Sequence, residues 1–213
     1  ESTTFNKFSR LIQFKNSKVI IKSCHFNDCV DCMFKEDVYS ESVINFIDSI
    51  VNRHTSNFVN IHSYSTFENC RFLNSMHKNE REGMLDIDVL LNIGESEINN
   101  CIFEGNNEDC KDISILKGGT LKLTKCTFRN IILRNRDFYF TNYAVSIHGK
   151  NSIIEHCEWS NAAGIYIRDV GCSIINCKFV DCYSVLISGL PLDINNCTFK
   201  NCNNDFGLDN IFG

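Results

Sequence analysis

Proline is nearly absent from this chain of 213 residues: it occurs once, at Pro191, against 27 asparagines. Asn tolerates left-handed backbone that most residues avoid, so the composition suits a fold with many tight, recurring turns. An excess of basic charge is also missing. The formal net charge is −5 at pH 7, which argues against nucleic acid as a partner. No apolar stretch approaches the roughly 20 residues of a membrane span, and no secretory leader is recognisable. The chain opens at Glu1 rather than Met, as a mature form or a fragment would. Hydrophobic residues make up 43% and charged residues 22%, so one large core or two small ones can be buried.

What the chain has in abundance is one short phrase: an apolar residue, two variable residues, Cys, one residue, then Phe or Trp. Seven copies occur: Ile21-Cys24-Phe26, Phe67-Cys70-Phe72, Ile98-Cys101-Phe103, Leu123-Cys126-Phe128, Ile154-Cys157-Trp159, Ile174-Cys177-Phe179 and Ile194-Cys197-Phe199. Two residues after the aromatic comes Asp28, Asn74, Gly105, Asn130, Asn161, Asp181 or Asn201. The cysteines are separated by 46, 31, 25, 31, 20 and 20 residues. Helical repeats need roughly 33 to 45 residues each, so the shortest interval excludes them. Three strands of about four residues with three turns fit it.

The local pattern agrees. Leu192-Asp193-Ile194 and Cys197-Thr198-Phe199 alternate with period two around the turn-prone pair Asn195-Asn196. β-branched, apolar runs precede the phrase at 113–116, 144–147, 164–167 and 185–187. The expected fold class is therefore all-β: a right-handed parallel β-helix, a solenoid of about seven to eight coils of three short strands. The Cys and aromatic columns line its interior. The residues between them (His25, Arg71, Ile102, Thr127, Glu158, Lys178, Thr198) point outward, and six of these seven are polar or charged. A single domain over 1–213 is expected, as a segment of a longer protein, with insertions near 29–41, 75–83 and 131–141. Ile44-Asn45-Phe46-Ile47-Asp48 matches the phrase with Ile in place of Cys. It is either a further coil or a first strand followed by a long loop. The 13 cysteines are odd in number, and seven share one register, so most are read as buried free thiols. Asn196-Cys197-Thr198 is a glycosylation sequon or a turn of the repeat.

The phrases Asn196-Cys197-Thr198-Phe199-Lys200-Asn201 and Lys125-Cys126-Thr127-Phe128-Arg129-Asn130 resemble the β-helix repeats of polymorphic-membrane-protein-like surface proteins of chlamydiae and some protozoan parasites. Gly118-Gly119-Thr120-Leu121 is similar to their Gly-Gly-Ala-Ile phrase. The resemblance implies a surface-exposed adhesive or structural rod, and it carries over no catalytic residue. The repeat also resembles the pectate-lyase-like superfamily, whose lyases and glycosidases hold their site on one outer face under long loops.

Candidate chemistry is sparse. His148, Arg168 and Asp169 on neighbouring coils would form a catalytic group of the polysaccharide lyase or glycosidase kind; otherwise they are a solvated strand face. Asp86 with Asp88, and Asp109 with Asp112, are paired carboxylates or polar surface. His54, His62, His77 and His156 share no metal spacing. Cys29-x-x-Cys32 is a lone pair whose first member shares its register with Cys182 and Cys202, which favours packing. Arg134, Arg136, Phe138, Tyr139, Phe140 and Tyr143 form the binding candidate, because aromatics and arginines gather in an insertion. They either hold a protein or glycan partner or plug against the flank of the helix. No metal and no cofactor are expected. The expected function is a non-enzymatic structural or adhesive module, able to pack end to end or within a larger assembly. Its place is the cell surface or secreted space by the resemblance, or a reducing compartment by its thiols.

Overall fold

A computed structural model of the chain describes residues 2–9, 12–30, 33–37, 40–54, 58–74, 89–105, 114–131, 143–168, 171–182, 185–187 and 192–202. For 89, 114–117, 186–187 and 192 it describes the backbone alone. The chain winds through three strands per turn. The first storey is β1 (Thr3–Asn6), β2 (Ile12–Phe14) and β3 (Lys18–Lys22). The second is β4 (Cys24–Asn27), β5 (Phe34–Glu36) and β6 (Val43–Ile47). The third is β7 (Ile50–Asn52), β8 (Val59–Asn60) and β9 (Ser65–Glu68). The fourth is β10 (Arg71–Leu73), β11 (Val89–Ile93) and β12 (Ser96–Asn99), and the fifth β13 (Ile102–Glu104), β14 (Ser114–Gly118) and β15 (Leu121–Thr124). The sixth is β16 (Thr127–Arg129), β17 (Val145–Ile147) and β18 (Ile153–Glu155), and the seventh β19 (Glu158–Ser160), β20 (Ile165–Ile167) and β21 (Cys172–Ile175). The eighth is β22 (Lys178–Val180), β23 (Leu186–Ile187) and β24 (Leu192–Asn195), and β25 (Thr198–Lys200) begins a ninth.

Every third strand pairs in parallel, which gives one nine-stranded and two eight-stranded sheets. The fold is the expected right-handed parallel β-helix. We call the sheets first, second and third, in the order in which each storey visits them. The two bends flanking the first sheet are set by left-handed residues. Asn69, Asn100, Lys125, His156, Asn176 and Asn196 precede the anchor, and Asn74, Asn130, Asn161, Asp181 and Asn201 follow the aromatic, all with φ between 46° and 55°. Side-chain amides then join successive storeys, as in Asn100 to Asn69 at 2.8 Å and Asn196 to Asn176 at 2.7 Å. The sequon residue Asn196 is thus a rung of an asparagine ladder. At the bend from the second to the third sheet, bare backbone does the packing. A Cβ on Gly94 would run into the His62 carbonyl, and one on Gly149 into the Gly119–Thr120 backbone.

The interior is as the alternation requires. Cys70, Cys101, Cys126, Cys157 and Cys177 are buried on successive storeys, and Cys24 and Cys197 are half-buried near the two ends. Beside them runs the aromatic column. The rings of Phe72, Phe103, Phe128, Trp159, Phe179 and Phe199 lie nearly parallel with centroids 4.6–4.9 Å apart. That separation copies the strand spacing of a sheet, about 4.8 Å, so ladder hydrogen bonds and ring stacking are satisfied by one repeat distance.

Three features differ from the sequence reading. A storey precedes the first recognised copy: Phe5 stacks on Phe26 at 4.9 Å. The interval 29–41 contains β5, so its middle is the second-sheet strand of a storey rather than an excursion. The further coil around Ile44 exists, but its anchor and aromatic places fall five residues later than the sequence match, which set Ile44 and Phe46 there. Phe46 pairs with Ile21 and Phe67, so Ser49 holds the anchor position and Val51 the aromatic one. Ile44 and Phe46 both point inward and are both apolar, so the hydrophobic pattern alone fits either register. Asp48, left-handed at φ 51°, also fits a bend in either register, so it is the strand pairing that fixes the true one. The insertion at 75–83 lies outside the described residues, and so does that at 131–141 except for Ile131, which is buried in the core.

Candidate functional site

Along β17 and β20 the outer face of the second sheet departs from the rest. Val145, Ile147, Ile165 and Ile167 belong to the core, so the intervening Ser146 and Tyr166 face outward. Outward residues are normally exposed, yet Ser146 and Tyr166 are each only 7% exposed. Tyr143, just before β17, is also buried and lies outside the core. Its ring stacks on Tyr166 with centroids 5.2 Å apart. The Nε2 of His148 lies 2.8 Å from Ser146 Oγ, and its ring meets that of Tyr166 at 5.8 Å, edge to face. Arg168 follows Ile167 as His148 follows Ile147, and these two isoleucines are paired across the sheet. The Arg168 N–H donates to the Ile147 carbonyl at 3.0 Å. His148 and Arg168 therefore occupy equivalent places on successive storeys, and both are exposed.

This face brings together Tyr143, His148 and Arg168 from the two predicted groups. Asp169, Arg134, Arg136, Phe138, Tyr139 and Phe140 lie outside the described residues, as do Asp86, Asp88, Asp109, Asp112, His77 and Cys32. Ser146 and Tyr166 were not singled out from the sequence. The signal was there in the alternation of Ile165-Tyr166-Ile167, where an aromatic occupies the outward slot. Chemically, the patch offers two aromatic rings, a hydroxyl–imidazole pair and a guanidinium. Such a set suits hydrogen-bonded recognition of polar or anionic groups.

The other predicted residues serve packing and turns. Cys29 is fully buried, with Sγ near the carbonyls of Asn27 and Phe5 at 3.5 and 3.7 Å. His54 is buried edge-on against Phe58. His156 is the left-handed residue of its bend. Among the described residues no three His, Cys, Asp or Glu side chains converge as metal ligands.

One functional-looking group escaped the sequence reading altogether. Glu36 ends β5 with its carboxylate turned into the fold, at 2% exposure. It accepts hydrogen bonds from the Ser40 hydroxyl (2.8 Å), the Ser63 hydroxyl (2.6 Å) and the backbone N–H of Ser42 (2.9 Å), His62 (2.8 Å) and Ser63 (2.9 Å). Burial pushes its pKa up, but the hydrogen bonds outweigh burial and hold it at about 2. With all its lone-pair sites engaged, this carboxylate is a clamp between the second and third storeys rather than a base.

No family model matches the chain, and no curated protein matches it. Among solved structures it is similar to QnrB1, a plasmid-mediated fluoroquinolone resistance protein, at 9% identity and a TM-score of 0.28, covering 90% of this chain and 92% of that one. It is similar to the Streptococcus pneumoniae surface protein and adhesin PfbA at 7% identity and a TM-score of 0.35, covering 94% and 89%. It is similar also to HetL, a pentapeptide repeat protein of the cyanobacterium Nostoc involved in heterocyst differentiation regulation, at 7% identity and a TM-score of 0.26, covering 93% and 87%.

Proposed function

We propose that the protein is a non-enzymatic β-helical module, structural or adhesive, that binds a protein or glycan partner through the outer face of its second sheet at Tyr143, His148, Tyr166 and Arg168. The observation that carries this reading is that His148 and Arg168 are exposed at equivalent places on successive storeys, with His148 packed edge to face on the buried, stacked pair Tyr143 and Tyr166. Aromatic and arginine anchors of this kind concentrate binding energy. A position at the cell surface, implied by the repeat resemblance, belongs to the same reading. The test is binding to an array of acidic and neutral glycans. Loss of a wild-type signal in His148→Ala and Arg168→Ala, with Lys122→Ala on the third sheet unaffected, supports the assignment. Equal loss in all three, or none, overturns it.

The Ser146–His148 contact favours a second reading, a polysaccharide-cleaving enzyme on the same scaffold, since a hydroxyl bonded to imidazole is how many nucleophiles are activated. Cleavage of an acidic polysaccharide that His148→Ala abolishes would establish that reading in place of the first.

A further inference from the structure

The first storey carries a charge unlike the rest of the chain. Residues 1–23 hold five of the 21 basic residues, Lys7, Arg10, Lys15, Lys18 and Lys22, and one of the 26 acidic ones, Glu1. The rest of the chain is therefore acidic, and this storey is basic. Within it β3 is the outermost strand of the third sheet. On one side it pairs with β6 over all five residues. On the other side no strand follows among the described residues.

Burial shows what that edge lacks. Val19 and Ile21 pack against the core but are only half-buried. Their partners on β6, Ile44 and Phe46, lie at 0% and 1% exposure, because strands cover them on both sides. Ile20 alternates with them and faces outward at 58% exposure, the highest of any large hydrophobic residue among those described. Lys18 and Lys22 flank it on the same face, and both are exposed. Their neighbours across the sheet are Val43 and Ile47. Among the described residues no carboxylate pairs with either lysine.

Lysines on a strand edge deter pairing with an edge of the same sign. They leave it open to a strand of opposite sign, since opposite charges directly across a strand pair attract and like charges repel. Addition of a strand to an open edge is a general mode of peptide recognition: main-chain hydrogen bonds give affinity, and alternate side chains give specificity. We propose that the β3 edge docks an acidic, extended segment of another protein, with the pattern acid, apolar, any, apolar, acid. The two apolar residues cover Val19 and Ile21, and the two carboxylates lie beside Lys18 and Lys22. The pattern is symmetrical, so the match holds for either strand direction. This edge belongs to a different sheet from the patch at His148 and Arg168, and it does not rest on the reading of that patch.

The experiment titrates the full chain into a fluorescein-labelled peptide, Glu-Val-Thr-Val-Glu between Gly-Ser flanks, and reads polarisation. Saturable binding is expected. The reordered peptide Val-Glu-Thr-Glu-Val turns both carboxylates towards the core, and a third peptide has Lys for both Glu. Each should bind at least about tenfold more weakly. The double variant Lys18→Glu, Lys22→Glu should reverse the preference between the Glu and Lys peptides, whereas Lys200→Glu, on β25, should leave it unchanged. Strand addition has a further signature, because successive N–H groups of a strand point alternately towards and away from its neighbour. N-methylation at every second residue of the peptide should abolish binding in one frame and spare it in the other. If far-UV circular dichroism shows that the double variant unfolds, the peptide series against the wild-type chain decides. Equal binding of the reordered peptide, an unmoved preference in the folded double variant, the same effect of methylation in both frames, or no saturable binding would each overturn the proposal.

Discussion

Between Cys70 and Cys202 each interior column of the first sheet is filled by one kind of residue; between Cys24 and Glu68 the columns change at almost every storey. In the later storeys the aromatic slot is occupied by six stacked rings in a row. In the earlier ones Val51 takes that slot, and the volume it leaves is filled by Phe58, which comes from the neighbouring bend. Phe58 meets Phe26, Phe34, Phe46 and Phe72 at 5.1–6.4 Å, tilted or edge to face. Ser49 likewise replaces the thiol, and its hydroxyl makes the same bonds, donating to the Ile47 carbonyl at 2.9 Å and accepting from the Cys24 N–H at 3.2 Å. A β-helix therefore does not need identical residues at stacked positions. It needs conserved strand register and filled volume, and stacking of like on like is one way among several to achieve both.

If that is right, the two regions should respond alike to loss of volume. Phe128→Ala in the regular column should cost about 3–5 kcal/mol, as other buried aromatics do. Phe58→Ala should cost as much, although it sits in no column. Urea denaturation of both variants is the check. A cost for Phe58→Ala below about 1 kcal/mol would mean that the earlier storeys are loosely packed, and the equivalence would fail.

The regions should differ in their response to acid, because among the described residues only the earlier one contains a clamped carboxylate. In the unfolded chain Glu36 titrates near 4.5; in the fold it is held at about 2. A depressed carboxyl contributes its full stabilisation above the unfolded value and loses it as pH falls towards the folded one. The contribution is on the order of 3 kcal/mol, present at pH 6 and largely gone by pH 2. Glu36→Gln should cost about 2–3 kcal/mol at pH 6, since its amide nitrogen would face donors. The same variant should flatten the dependence of stability on pH between 5 and 2. A wild-type curve no steeper than that of Glu36→Gln would remove the clamp from the account.

This contrast also explains how much the sequence revealed. The regular storeys were legible because one phrase repeats at stacked positions, and their strands, facing and buried thiols follow from it. The earlier storeys were legible only in part, because the phrase there is degenerate: Phe46-Ser49-Val51 keeps the spacing and loses every diagnostic residue. Glu36 was invisible, although Phe34-Lys35-Glu36 alternates and places it on the inward side. Its partners Ser40, Ser42, His62 and Ser63 become neighbours only once the storeys are in register, which no local pattern shows. The outer patch was half legible for a related reason. Tyr143, His148 and Arg168 carry recognisable chemistry, whereas Ser146 and Tyr166 matter through burial on a face that alternation alone marks as exposed.

Repairing the irregular storey tests the comparison from the other side. Val51→Phe restores the aromatic slot, but Phe58 already fills the space in front of it. The extra ring should therefore overpack the third storey and destabilise the fold by about 1–3 kcal/mol. A stabilising Val51→Phe would show that a cavity remains there and that continuous stacking is worth more than the irregular filling.

The smallest effect is expected where chemistry and volume both match. Ser49→Cys would join Cys24 to the column above it and put sulphur at the corner of every storey from the second to the ninth. The thiol is slightly larger than the hydroxyl and a weaker hydrogen-bond partner, so a small gain in apolar burial opposes a small loss in bonding to Cys24 and Ile47. The net change should stay within about 0.5 kcal/mol, as for substitutions that disturb no special feature. Paired denaturation curves would resolve a larger shift. A loss above 1 kcal/mol would mean that the hydroxyl at Ser49 holds the irregular storeys in register in a way a thiol cannot. The two halves of the rod would then be different structures that share only a backbone path.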